Sequence, residues 1–287
     1  MRILLTGRRG QIGWELERSL SALGEIAAFD RQGLDLARPD EIVARTRAVK
    51  PHVIVNAAAY TAVDKAESEP DLALAINARA PAILAEEARQ LGALLVHYST
   101  DYVFDGTKTG PYTEDDVPNP LSVYGRAKLE GERAIQAAGG RHLILRTSWV
   151  YASRGNNFLL TILRLAREKP ELRIVSDQRG TPTWARDLAA ATTDLLQAGD
   201  IPTGLYHLTA AGETTWFRFA GEILRLASLA VPLQAIPTTE YPTPAMRPRN
   251  SVLSNAKLSG ETGILLRPWL DSVVRCMAEV PSRAGEG

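Results

Sequence analysis

The sequence predicts an α/β fold, a doubly wound parallel sheet of the Rossmann type with a smaller, mixed C-terminal lobe. Three observations support this. Short apolar runs alternate with helical patterns through the first half of the chain, as in strand-helix-strand units whose sheet is covered on both faces. The first apolar run opens directly into Thr6-Gly7-Arg8-Arg9-Gly10-Gln11-Ile12-Gly13, and an amphipathic helical pattern follows at once. Beyond Asn156 the alternation loosens into helices separated by loops rich in proline and glycine.

In chain order, the strands expected are Arg2 to Thr6, Glu25 to Asp30, Val53 to Asn56, Leu94 to Ser99, Leu143 to Thr147 and Leu172 to Val175. Between them, helical periodicity covers Ile12 to Leu23, Asp40 to Ala48, Leu72 to Leu91 and Tyr124 to Ala138. Each stretch is long enough for a right-handed crossover. Further helices are expected at Phe158 to Lys169, Arg186 to Gln197 and Trp216 to Ala227, and a frayed end over Pro281 to Gly287. The pattern divides the chain into a dinucleotide-binding unit, residues 1–156, and a mainly substrate-binding lobe, residues 157–287, which contributes to the sheet near 172–175.

Composition narrows the function classes. At 287 residues and 45% hydrophobic content the chain can bury a substantial core. Thirty-three basic residues balance thirty-three acidic ones, so net charge points neither to nucleic acid nor to an anionic membrane. Cys276 is the single cysteine, which excludes an intrachain disulfide. His52, His97, His142 and His207 are scattered, without metal-ligand spacing, and read as structural. No apolar run approaches the roughly 20 residues of a membrane span, and no cleavable leader is evident, so a reducing, cytoplasmic setting is expected.

Two motifs carry chemistry. In the glycine loop, glycines permit a tight turn and close approach of a pyrophosphate, while the following helix offers free N–H groups. Its spacing is Gly-x-x-Gly-x-x-Gly, a variant of the usual dinucleotide fingerprint. Asp30, at the end of the second strand, suits a ribose hydroxyl and NAD, whereas Arg8, Arg9 and Arg31 suit a 2'-phosphate and NADP. The balance leans slightly to NADP(H), with NAD(H) tolerated. The second motif is Tyr124-Gly-Arg-Ala-Lys128, which stacks a phenol on an ammonium one helical turn away. A nearby cation favours the phenolate, so the pair can move a proton at neutral pH.

Together with Asn56-Ala-Ala-Ala-Tyr60 and Ser99-Thr-Asp-Tyr-Val-Phe-Asp-Gly106, these motifs make the chain resemble the extended short-chain dehydrogenase/reductases, from about residue 1 to 275. Asp177-Gln-Arg-Gly-Thr-Pro-Thr183 and Arg247-Pro-Arg-Asn-Ser251 resemble its nucleotide-sugar reductases. The resemblance implies hydride transfer from NAD(P)H to a 4-keto sugar, dTDP-4-dehydro-L-rhamnose, with Tyr124 protonating the nascent alkoxide. Lys128 would lower the phenol's pKa and hold the nicotinamide ribose, and Thr100 would hold the substrate oxygen, completing a Thr-Tyr-Lys triad. Gly7, Arg8, Gly10, Gln11, Ile12 and Gly13 would contact the coenzyme, as would Asp30, Asp35 and Leu36 and the strand-end segment Ala57, Ala58, Ala59 and Tyr60.

On the substrate side the resemblance points to Asp101, Tyr102, Trp149, Arg249 and Asn250, with Arg247 beside them. Asp101 and Asp105 also suit a backbone-capping role. Dehydratases of this superfamily place a glutamate where Tyr102 stands, so elimination of water is disfavoured. Some members form homodimers bridged by magnesium. Glu15 fits one such ligand, but Arg186 stands where another acid would align and no partner is evident near Leu270-Asp271, so no metal is assigned. Another nucleotide-sugar 4-ketoreductase or epimerase remains open, as does a non-catalytic NADP-binding regulatory subunit like that of methionine adenosyltransferase.

Overall fold

The computed structural model describes residues 1–280, and the frayed end expected at Pro281 to Gly287 lies outside them. Six parallel strands form the main sheet: β1 (Arg2–Thr6), β2 (Glu25–Phe29), β3 (Val53–Asn56), β4 (Leu94–Thr100), β5 (His142–Thr147) and β6 (Gly204–His207). Their spatial order is β6-β5-β4-β3-β1-β2. The chain winds outward from β1 in both directions, so the crevice beyond the carboxyl ends of β1 and β3 is where such a sheet receives ligands.

Helices cover both faces: α1 (Gln11–Ser19), α2 (Pro39–Val49), α3 (Ala80–Leu91), α4 (Val123–Ala137), α5 (Phe158–Glu168), α6 (Ala185–Gln197), α7 (Trp216–Leu226), α8 (Ala256–Thr262) and α9 (Trp269–Met277). The strands' two-residue period sorts their side chains. Ile3, Leu5, Val55, Val96 and Leu145 meet Leu16 of α1 and Leu188 and Leu195 of α6. On the other face Leu4, Ile54, Leu95 and Ile144 meet Ile42 of α2, Leu84 of α3 and Ile135 of α4. Burying each such side chain fully contributes about 1.5–3 kcal/mol.

The periodic stretch expected as one helix over Leu72 to Leu91 is interrupted. Pro70–Leu74 is helical, Ala75–Arg79 widens into a π turn, and α3 resumes at Ala80. Pro81 explains the break, because it has no N–H and its ring crowds the carbonyl four residues back, at Asn77.

Two expectations for the C-terminal half are corrected. Leu172–Val175 is a strand, but it pairs with Leu233–Ile236 in a separate two-stranded sheet. The sixth strand of the main sheet is instead Gly204–His207, paired with β5. Residues beyond 156 therefore supply a strand of the main sheet, and α6 packs along α1. The remaining lobe is organised around Tyr151, Phe158, Trp216, Phe219 and Trp269, which join α5, α7 and α9. Among the described residues no helix is long and apolar enough to cross a membrane.

Candidate active site

At the carboxyl end of β1 the glycine loop is built as a cradle. Gly7 has φ +76°, and a Cβ there would lie 2.8 Å from the Ala58 nitrogen; one on Gly13 would lie 2.1 Å from the Gly7 carbonyl oxygen. The loop therefore presses against the Ala57-Ala58 backbone, and only glycine permits it. Gly10 caps α1 without a side-chain hydrogen bond, which leaves the first N–H groups of the helix free for an anion. These residues fit a dinucleotide pyrophosphate.

Around the loop several expected contacts have other duties. Arg8 is held by Glu17 at 2.6 Å. Gln11 accepts a hydrogen bond from Asn157 at 2.9 Å, tying α1 to the start of α5, and Ile12 packs on the core. Asp30 accepts from the N–H groups of Gln32 and Gly33 and pairs with Arg9 at 2.7 Å. The Gly33 N–H, with Arg9 and Arg8 nearby, holds its carboxyl below the usual range. Asp35 caps Ala37, and Leu36 is buried. Tyr60 donates its phenolic proton to Glu69 at 2.7 Å, while Asn77 in the π turn holds its backbone N–H and carbonyl.

The triad residues meet where β4 ends and α4 begins. Thr100, the last residue of β4, is buried and accepts from the Tyr102 N–H at 3.1 Å. Ser122 caps α4, accepting from the Gly125 N–H at 3.1 Å, and so sets Tyr124 and Lys128 on the helix's inner side. Tyr124 is partly exposed, with its ring edge-on to Tyr102 at 6.0 Å. Desolvation pushes its hydroxyl up to about 12, the Thr100 hydroxyl pulls the other way, and the Asp101 charge adds to the rise. This corrects the expectation that Lys128 dominates. The ammonium is fully buried and turned inward, donating to the Tyr98 carbonyl at 2.6 Å and lying 3.0 Å from His97 Nε2. Burial draws Lys128 down to about 8, with Glu132 opposing that shift.

Asp101 is 3% exposed and accepts from the Thr100 hydroxyl at 3.1 Å. Burial pushes its carboxyl up to about 7, and Oδ2 has no partner among the described residues. Thr100, not Asp101, caps the turn after β4. Asp105 does take the capping role, accepting from Thr107, Tyr112 and Asn119.

Of the expected substrate contacts, Trp149 has φ +46°, unusual for a bulky residue, and stacks on Trp216 with ring centroids 3.5 Å apart. Arg247 is committed to Asp64 at 2.8 Å. Asn250 is buried and donates to the carbonyls of Lys108 and Gly110, so it shapes its loop and has no amide hydrogen left for a ligand. Arg249 is exposed and remains available. Glu15 does not fit a bridging magnesium, because the Arg186 guanidinium lies 3.0 Å from its carboxylate and also pairs with Glu279. Among the described residues no cluster of three acidic, histidine or cysteine side chains could hold a metal.

His97, expected to be structural, instead touches Lys128. Thr6, Asn56 and His97 stand side by side at one level of the sheet, paired in register across β1, β3 and β4. The available signal was a polar residue closing each of the apolar runs of β1 and β3, with His97 breaking the apolar run of β4 midway.

A parallel sheet with a pyrophosphate cradle and a tyrosine-lysine pair over its carboxyl edge defines a coenzyme-dependent oxidoreductase of the extended short-chain dehydrogenase/reductase type. A family model described as the RmlD substrate binding domain matches residues 1–282, and the chain belongs to that family. It is 48% identical to dTDP-4-dehydrorhamnose reductase of Burkholderia thailandensis, covering 99% of this chain and 100% of that one. It is 46% identical to the Escherichia coli protein of the same name, covering 98% of each. The crystal structure of dTDP-4-dehydrorhamnose reductase from Bacillus anthracis in complex with NADP superposes with a TM-score of 0.93 at 35% identity, over 97% of this chain and 99% of that chain.

Proposed function

We propose that this protein reduces the 4-keto group of dTDP-4-dehydro-L-rhamnose to dTDP-L-rhamnose, using NADPH in preference to NADH. The observation that carries this reading is Tyr124, a phenol kept protonated at neutral pH beside Thr100 and one helical turn before Lys128. The bound coenzyme supplies the hydride. Tyr124 supplies the proton to the alkoxide oxygen, and a hydroxyl that resists ionisation until about 12 is an acid still carrying its proton at pH 7. Thr100 holds the same oxygen. Asp101 sets the direction of the Thr100 hydroxyl: as a carboxylate it takes that proton, and once protonated it releases Thr100 to donate to the substrate.

Gly7, Gly10 and Gly13, with the start of α1, hold the pyrophosphate, and Ala57 and Ala58 form the floor. The NADPH preference is supported by Arg9, whose guanidinium neutralises the Asp30 carboxylate and would suit a 2'-phosphate on a ribose bound beside it. Trp149 and Arg249, from the lobe beyond β5, face the nucleotide sugar.

Mixing the purified protein with enzymatically generated dTDP-4-dehydro-L-rhamnose and following coenzyme absorbance tests this reading. Rapid oxidation of NADPH, slower with NADH, with dTDP-L-rhamnose as product, is the expected result. Coenzyme binding without oxidation moves the assignment to another keto sugar or to a non-catalytic role.

A further inference from the structure

Lys128 is buried, yet its role requires it to hold a charge. Two of its three N–H bonds have acceptors, the Tyr98 carbonyl and His97 Nε2. His97 continues inward: Nδ1 lies 3.0 Å from Asn56 Nδ2, Asn56 Oδ1 lies 2.6 Å from Thr6 Oγ1, and Thr6 Oγ1 accepts from the Ala58 N–H at 3.3 Å. A chain of polar groups thus runs from the catalytic helix to the backbone under the glycine loop. Its members Asn56 and His97 are 1% exposed and Thr6 is 2% exposed.

The chain has two self-consistent polarities. With Lys128 charged, Nε2 must accept, so the ring proton sits on Nδ1 and Asn56 turns its oxygen to it and its amide N–H to Thr6. With Lys128 neutral, Thr6 donates to Asn56, Asn56 donates to Nδ1, and Nε2–H donates to the amine. Heavy-atom positions allow both, since an amide's O and N are interchangeable in shape. In each arrangement the links from Lys128 to Thr6 are satisfied, which a buried network must achieve to be stable.

We propose that His97 is a positioning residue for the reduction: through Asn56 and Thr6 it supports Lys128 in both protonation states and sets the pH at which the ammonium is lost. The proposal rests on the catalytic assignment of Lys128 made above. His97 itself stays neutral, since burial and the Lys128 charge both oppose its protonation. The other ionisable groups around Lys128 are Glu132 on its own helix, Arg146 of β5 paired to that carboxylate at 2.6 Å, Tyr124 one turn back and Asp101 beyond it. Apart from His97, none of these offers Lys128 a hydrogen bond among the described residues.

The test replaces His97 by Gln, whose amide oxygen reaches the position of Nε2, and by Asn, which reaches only that of Nδ1. The chain has six lysines, Lys50, Lys65, Lys108, Lys128, Lys169 and Lys257, so ¹³Cε-labelled lysine gives a spectrum in which Lys128→Met identifies its signal. In wild type that signal titrates near pH 8. In H97N its midpoint falls by about one pH unit, because the hydrogen bond lost from the ammonium is stronger than the one lost from the neutral amine, and H97Q returns it toward wild type. The alkaline limb of kcat/KM moves in the same direction in each variant. An unmoved Lys128 midpoint in H97N, or H97Q and H97N behaving alike while both fold, overturns the proposal. The titration needs no substrate, so failure of the reductase assignment shows separately, as wild-type protein that does not turn over.

Discussion

Removing the carboxylate of Glu132 tests how firmly the catalytic helix is held to the sheet. Glu132 lies one turn after Lys128 and grips Arg146 of β5 with two hydrogen bonds, 2.9 and 2.6 Å long, and both side chains are 2% exposed. The Ser99 hydroxyl also donates to Glu132. Glu132→Ala leaves a buried guanidinium with no carboxylate partner among the described residues, facing the Phe104 ring 5.1 Å away. Breaking such a pair costs roughly 3–5 kcal/mol, and the stranded Ser99 hydroxyl adds about 1 kcal/mol. That is a large part of the ~5–15 kcal/mol of a typical domain. Urea unfolding of Glu132→Ala, Arg146→Met and the double variant forms a cycle. The single changes should each lose several kcal/mol, and the double should lose far less than their sum, because no charge is then left unpaired. A Glu132→Ala loss below about 1 kcal/mol, with additive effects, would refute the view that this pair clamps α4.

Gly13→Ala drives a methyl into the Gly7 carbonyl, and should weaken NADPH binding by about 1–3 kcal/mol with the fold retained; fluorescence titration measures this, and wild-type affinity would show that the loop has room. Asp101 titrates near 7 in the folded state, above its ordinary value, because of burial. The folded protein therefore binds the extra proton between about pH 4 and 7, and the stability from this group, full below that window, is lost as pH rises through it. Asp101→Asn should remove that decline, so its denaturation midpoint gains on wild type from pH 4 to 7 and runs parallel above; equal pH slopes in both proteins would contradict the assignment. Cys276 is fully buried and its thiol is pushed up to about 12, chiefly by burial. It should react with a disulfide reagent at pH 8 only after denaturation, and rapid labelling of the native protein would show that α9 opens.

The sheet was legible because its strands are short apolar runs that can only be buried on both faces. β6 was not, since Gly204-Leu-Tyr-His207 carries too little apolar character to stand out and earns its place by pairing with β5. Leu172–Val175 looked like a sheet strand for the opposite reason, and its partner Leu233–Ile236 was unforeseen. Within the site, Tyr124, Lys128 and the glycine loop were visible as local spacings. Commitments made across the fold were not: Arg247 to Asp64, Asn250 to the Lys108 and Gly110 carbonyls, and the Tyr60 phenol to Glu69. Each was expected toward a ligand and found another partner, distant in sequence for Arg247 and Asn250 and nine residues on for Tyr60. The direction of the Tyr124 shift was missed because spacing shows that a lysine is near, but not that it turns inward to Tyr98 and His97.

The central claim is that hydride reaches the sugar's keto carbon while Tyr124 protonates its oxygen. NADPH deuterated at nicotinamide C4, reacted with dTDP-4-dehydro-L-rhamnose, should place deuterium at C4 of dTDP-L-rhamnose. Tyr124→Phe should slow that transfer by roughly 10²- to 10⁴-fold while binding coenzyme as wild type does. A product without deuterium at C4, or full-rate transfer by Tyr124→Phe, would contradict the account.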